Sequence, residues 1–219
     1  MPPERLHLTA LEITHSLTQD QINAIITSLG TSTVETMTNY THDPYHRARL
    51  IKPMLSYDDA AIALSFLPAA GESLSSLPPA SDPSPLTLPG GPKEERKDRR
   101  KVDDKFTYHH LRRSLFALAR ATGVSIDSRY VVPSSHITVG RFLTQEDHDS
   151  PAKMQAWINK IEEVNGWLER EFWPKDGDAT GEERKKEGEW LVGQEKGLDF
   201  REGRLWYGGG NTVRIGRGF

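Results

Sequence analysis

The chain has 219 residues, enough for one large or two small domains with a true core. Its apolar share of 36% and mean hydropathy of −0.61 are low for a globular protein, so part of the chain is expected to lie outside any core. A net charge of −3 excludes a strong overall field toward nucleic acid or a membrane surface, and the lack of cysteine excludes disulfides, thiolate catalysis and cysteine-bound zinc. A mildly acidic protein can still present a locally basic cleft to a nucleotide. The first residues, MPPERLHLTALEI, are too short and interrupted for a secretory signal, and no apolar run approaches a membrane span. The expectation is a cytoplasmic protein, with the nucleus left open, that has no membrane partner.

In chain order, residues 5–13 (RLHLTALEI) alternate as a strand. Thr18 is a helix cap, and Ile22, Ile25, Ile26 and Leu29 follow at helical spacing up to Gly30. A polar connection, TSTVETMTNYTHDPYH, leads to ARLIKPMLSY and AAIALSFLP. These flank Asp58 and Asp59 and read as a β-hairpin, with Pro53 marking an edge or a bulge. Residues 70–105 change character: a Pro/Ser/Gly-rich stretch and then the charge run KEERKDRRKVDDK, read as a flexible insertion. Residues 106–122 form an amphipathic helix ended by Gly123, and a strand or strand pair spans 124–143. Ser150 and Pro151 open another helix, closed by Pro174; the C-terminal stretch reads as two or three short strands with glycine turns. Mixed helices and antiparallel strand pairs predict an α+β fold, roughly duplicated about the insertion.

Two stretches carry the chemistry. LHLTALEI places His7 and Thr9 two apart, and RYVVPSSHITVGRF places His136 and Thr138 two apart. Period two puts each pair on one face of its strand. The bare spacing is weak evidence, because chance gives about one His-x-Ser/Thr match in a chain of this composition. A third match, His148 with Ser150, sits in a polar turn, whereas the first two lie in apolar alternating segments on either side of the insertion. Either histidine alone reads most simply as a buried ring satisfied by a neighbour; the matched pair favours a site. Two imidazoles titrating near neutrality supply one base and one acid, and two hydroxyls hold phosphoryl oxygens, a set suited to in-line displacement at phosphorus. That chemistry needs no metal or cofactor.

These residues resemble the paired H-x-T/S motifs of the 2H phosphoesterase superfamily, which includes LigT-like RNA ligases and cyclic nucleotide phosphodiesterases. The resemblance implies a bilobal, pseudo-symmetric α+β fold with two antiparallel sheets flanking a central cleft and helices outside. One lobe is expected over 1–69 and the other over 106–219, with some strand exchange, as one globular and monomeric unit. The separation of 129 residues between His7 and His136 is long for that family, and the insertion accounts for much of it. The resemblance further implies metal-independent hydrolysis of a 2′,3′-cyclic phosphate on an RNA end or nucleotide, or of ADP-ribose 1″,2″-cyclic phosphate. His136 would be the general base and His7 the general acid, or the reverse, with Thr9 and Thr138 on the phosphate. A binding module without turnover, or RNA 2′,5′-end ligation at the same site, are the alternatives.

Other residues are open to two readings. Tyr207, beside Gly208 to Gly210, is a candidate to stack on a base, or part of a tight hairpin. Arg47, Arg49 and Lys52 are candidates for a basic cleft wall, Arg49 being taken as a substrate-binding residue. Arg141 falls on the face opposite His136 by strand parity and is the weaker phosphate candidate. His42 and His46 flank a DPY turn and lack the spacing of a zinc site. His109 and His110 read as part of a polar helix face.

Overall fold

The computed structural model describes residues 1–70, 104–126, 135–173, 188–203 and 209–219. Within these the fold is α+β. A four-stranded antiparallel sheet has the order β3 (Ser135–Arg141), β2 (Ala61–Pro68), β1 (Arg49–Tyr57), β4 (Trp190–Leu191). A second sheet pairs β5 (Asp199–Glu202) with β6 (Asn211–Ile215). The helices are α1 (Gln19–Thr38), α2 (Tyr108–Ala121) and α3 (Pro151–Phe172). No helix among the described residues is long and apolar enough to cross a membrane. The insertion lies largely outside the described residues, as does the stretch 127–134 before β3.

The expected hairpin is β1–β2, and Pro53 sits at a bulge: the register shifts between Ile51 and Met54, where Lys52 takes a positive φ of 54°. β2 and β1, from before the insertion, pair with β3 and β4 respectively from after it, so the strands of the two halves interleave. The helix opening at Thr18 has its capping box, and Gly30 interrupts it with φ 73° and ψ 153°, a conformation suited to glycine. The polar stretch after Gly30 is helical rather than an irregular connection. Thr36 and Thr38 hydroxyls donate to carbonyls four residues back, and Val34 and Met37 enter the core.

One core cluster gathers Leu29, Val34 and Met37 of α1, Leu50 of β1, Tyr108, Leu111, Leu115 and Ala119 of α2, and Val192. Leu8, Ala10, Leu11 and Ile13 of the N-terminal segment pack onto it, so the segment carrying the first histidine is anchored by its apolar side chains. α3 covers one face of the large sheet. Its Asn165 side chain stands in for a missing strand partner on β1: Oδ1 accepts from the Leu55 N–H at 2.6 Å and Nδ2 donates to the Leu55 carbonyl at 3.0 Å. Beside it Trp173 donates to the Pro53 carbonyl at 2.9 Å.

Asn165→Ala strips both partners from Leu55 at once. Urea denaturation is expected to show a loss of about 1–3 kcal/mol, the cost of leaving buried backbone groups unmade.

Candidate active site

β3 carries the second histidine pair. Ser135 fixes its start, donating to the Phe66 carbonyl at 2.6 Å from a buried position. In the antiparallel register His136 lies opposite Ser65, Ile137 opposite Leu64, and Thr138 opposite Ala63. His136 and Thr138 thus share a face with Ser65, Ala63 and Ala61, while Leu64 and Phe66 point the other way and help line an apolar cavity of about 300 Å³ with Trp167 and Leu168 of α3. Small side chains on the histidine face leave room above it. On that face the Ser56 and Ser65 hydroxyls form a hydrogen bond of 2.6 Å.

The first pair joins this face through an antiparallel bridge between Leu8 and Ile137. Antiparallel register then sets His7 opposite Thr138 and Thr9 opposite His136. Leu8 lies on the Ile137 side, so both histidines and both threonines fall on the other. His7 and His136 are diagonal neighbours, a relation that places residues about 7–8 Å apart. That separation suits two rings reaching opposite sides of one phosphate. His7 is exposed, whereas Thr9, His136 and Thr138 are half-buried. His7 Nδ1 lies 2.9 Å from the Arg5 carbonyl; a carbonyl only accepts, so the proton is on Nδ1 and Nε2 faces outward chemistry.

Arg141 is a residue that strand parity misplaced. The register slips between Ile62 and Ala63: Thr138 faces Ala63 but Gly140 faces Ile62, leaving Val139 as an extra residue. Beyond the bulge the alternation is inverted, and Arg141, opposite Ala61, returns to the face of His136 and Thr138. The structure therefore corrects the expectation that Arg141 points away. Glycine directly after Thr-Val is the sequence sign of that bulge.

The environment distinguishes the two rings. His136 is held below the ordinary imidazole value, chiefly by burial, with Arg112, Arg141 and His7 adding positive charge; Asp58 opposes them. Asp58 itself is held low, because its carboxylate accepts from the Ala60 and Ala61 N–H groups at 2.8 Å in the β1–β2 turn. His136 is therefore predominantly neutral at pH 7.

Five of the remaining six histidines have structural partners. His42 Nδ1 meets the Gly218 carbonyl at 2.8 Å, and His46 stacks on Tyr40 with centroids 4.2 Å apart. His110 Nδ1 accepts from the Thr107 N–H at 3.1 Å as part of the α2 cap. His148 bonds Gln145 and His15 bonds Ser16. Among the described residues no three His, Asp or Glu side chains gather as a metal-binding group. Tyr207 lies outside the described residues. Arg49 is not gathered with the histidines and threonines by any described contact. Its Nε and one terminal nitrogen hold Asp104 at 3.0 and 2.6 Å, and the other holds Glu189 at 2.9 Å. Both carboxylates push its guanidinium above its already high value. Such an ion triad ties the residues before α2 to β1 and to the lead-in of β4.

Arg49→Ala is accordingly expected to lower stability by about 2–3 kcal/mol in chemical denaturation, since two carboxylates lose their shared partner.

No protein-family model matches the chain, and no curated protein or solved structure does. What it does is read from these residues alone.

Proposed function

We propose that the chain is a phosphodiesterase of the 2H type. In this reading it opens a 2′,3′-cyclic phosphate on an RNA end or nucleotide, or ADP-ribose 1″,2″-cyclic phosphate, and its two histidine strands flank a shared cleft. The observation that carries the reading is the Leu8–Ile137 bridge, because antiparallel register across it gathers two imidazoles and two hydroxyls on one face.

The chemistry follows from the difference between the rings. Neutral His136 takes a proton from water as the water oxygen bonds to phosphorus. The phosphorus bond to one ribose oxygen breaks in line, and protonated His7 gives its proton to that oxygen. The product is a phosphate monoester beside a free hydroxyl. One proton has entered His136 and one has left His7, and exchange with solvent resets both rings. Thr9 and Thr138 hydroxyls donate to the non-bridging oxygens, and the Arg141 guanidinium offsets the charge that accumulates in the pentacoordinate state. The burial of His136 supports its role as base, and the exposure of His7 suits a ring that must regain a proton from solvent. RNA-end ligation would run the same displacement with an RNA hydroxyl in the place of water, leaving a phosphodiester instead of a monoester.

The test is hydrolysis of 2′,3′-cyclic nucleotides by the full chain with EDTA present. His7→Ala and His136→Ala are each expected to reduce kcat by about 10²- to 10⁴-fold, the usual weight of a general acid or base. Wild-type rates in both variants, or activity that EDTA abolishes, would sink the reading; tight binding without turnover would point to a binding module.

The pH profile gives a separate check. A base works deprotonated, so kcat/KM is expected to rise with pH through the His136 pKa, and burial places that limb below the ordinary imidazole value of 6.5. An acidic limb at or above 6.5 would assign the base elsewhere.

A further inference from the structure

We propose that Tyr108 and Arg112 of α2 are the positioning residues of this site, clamping the Thr9–Ala10 backbone and so setting where His7 stands against His136. The inference rests on the two-histidine reading of the site.

The Tyr108 hydroxyl donates to the Thr9 carbonyl at 2.9 Å, and Arg112 Nε donates to the Ala10 carbonyl at 3.1 Å. Two consecutive carbonyls, directly after the first histidine-threonine pair, are thus held by residues four apart on one helix face. The two side chains support each other, the Arg112 guanidinium carbon lying 5.9 Å from the Tyr108 ring centroid. Tyr108 is fully buried and Arg112 is 8% exposed. A guanidinium is rarely buried to that degree unless its hydrogen bonds organise something. Here they organise a segment whose only β-pairing among the described residues is the Leu8–Ile137 bridge. A lone bridge is a weak constraint on a strand, so the helix supplies what a full ladder would.

Arg112 also acts on the second motif. It is the strongest charge acting on His136 and favours the neutral ring; Arg141 of β3 and His7 of the N-terminal segment push the same way, and Asp58 of the β1–β2 turn pushes against them. One side chain therefore holds the backbone of the acid's strand and biases the protonation of the base. A misplacement of about 1 Å is enough to cost roughly 10²-fold in rate, which makes such a clamp a natural control point.

The experiment compares full-length wild type with Tyr108→Phe, Arg112→Lys and Arg112→Met. Three quantities are read: amide hydrogen exchange along residues 8–10, the NMR titration of the His136 imidazole, and kcat and KM on 2′,3′-cyclic CMP. All three variants are expected to exchange faster at residues 8–10. Arg112→Met is expected to move the His136 titration up toward 6.5, because a positive neighbour has been removed. Arg112→Lys keeps the charge, and Tyr108→Phe never touched it, so both leave the titration in place. Turnover is expected to fall roughly tenfold to a hundredfold in Arg112→Met, with KM held within about twofold. Unchanged exchange in both Tyr108→Phe and Arg112→Lys, or an unmoved titration in folded Arg112→Met, overturns the proposal. If the methionine variant does not fold, exchange in the other two decides. Should wild type hydrolyse no cyclic phosphate, the phosphodiesterase reading fails, while exchange and titration still decide the clamp.

Discussion

The Leu8–Ile137 bridge is the contact on which the site depends, because it converts two distant sequence motifs into neighbours. β3 has two edges: β2 occupies one, and the N-terminal segment lies along the other. Antiparallel pairing then fixes that His7 and Thr9 share a side with His136 and Thr138. A parallel or one-residue-shifted pairing would not, since a slip of one residue turns every side chain to the opposite face. The register is held by side chains more than by ladder bonds. Leu8, Ala10, Leu11 and Ile13 are packed against the core of α1 and α2, so slipping the strand would expose several apolar groups, each worth about 1.5–3 kcal/mol when fully buried. The apolar residues that suggest a strand therefore aim the histidine by packing, although the segment itself forms only one isolated bridge among the described residues.

Irregularities do as much as regular elements to shape the histidine face. The bulge at Val139 inverts alternation in β3 and returns Arg141 to that face. The bulge at Lys52 and Pro53 does likewise in β1, after which Ser56 and Ser65 meet at 2.6 Å on the same side. Without the first bulge Arg141 would point away from the face that carries His136 and Thr138. A bulge costs a ladder hydrogen bond, and the sheet tolerates it near its ends, where fewer pairings are disturbed.

Much of this was legible in the sequence where the signal was local. The Thr18 cap, the Pro53 bulge and the Ser150 cap each follow from a few adjacent residues, and each is found where the spacing put it. Residues 5–13, expected as a strand, make only the isolated Leu8–Ile137 bridge, because a 3-10 turn occupies Pro3–Arg5 and, among the described residues, no ladder continues beyond Leu8. The misses came from long-range contacts. Arg49 reads as a free cation beside an apolar strand, yet its carboxylate partners are 55 and 140 residues away. The Thr-rich stretch after Gly30 reads as a loop because Ser and Thr compete with helical hydrogen bonds, but here their hydroxyls fold back onto helical carbonyls while Val34 and Met37 find the core. Arg141 was misjudged because parity counting assumes an unbroken strand, and Gly140 was the only hint that it is broken.

Near-identical motifs do not imply equal chemistry, and the surroundings decide which ring does what. His7 and His136 have the same spacing to a threonine, yet one is exposed with its Nδ1 on a backbone carbonyl and the other is half-buried and feels the positive charge of Arg112 and Arg141. Both effects on His136 act in one direction: burial disfavours the imidazolium, and so does each positive neighbour. Every unit by which they lower its pKa shifts the balance toward the neutral ring by about 1.4 kcal/mol. Asp58 limits the shift from the hairpin turn, and backbone N–H groups keep that carboxylate charged. A negative charge brought to the same face would raise the affinity of His136 for protons. The positive groups around His136 resist that rise.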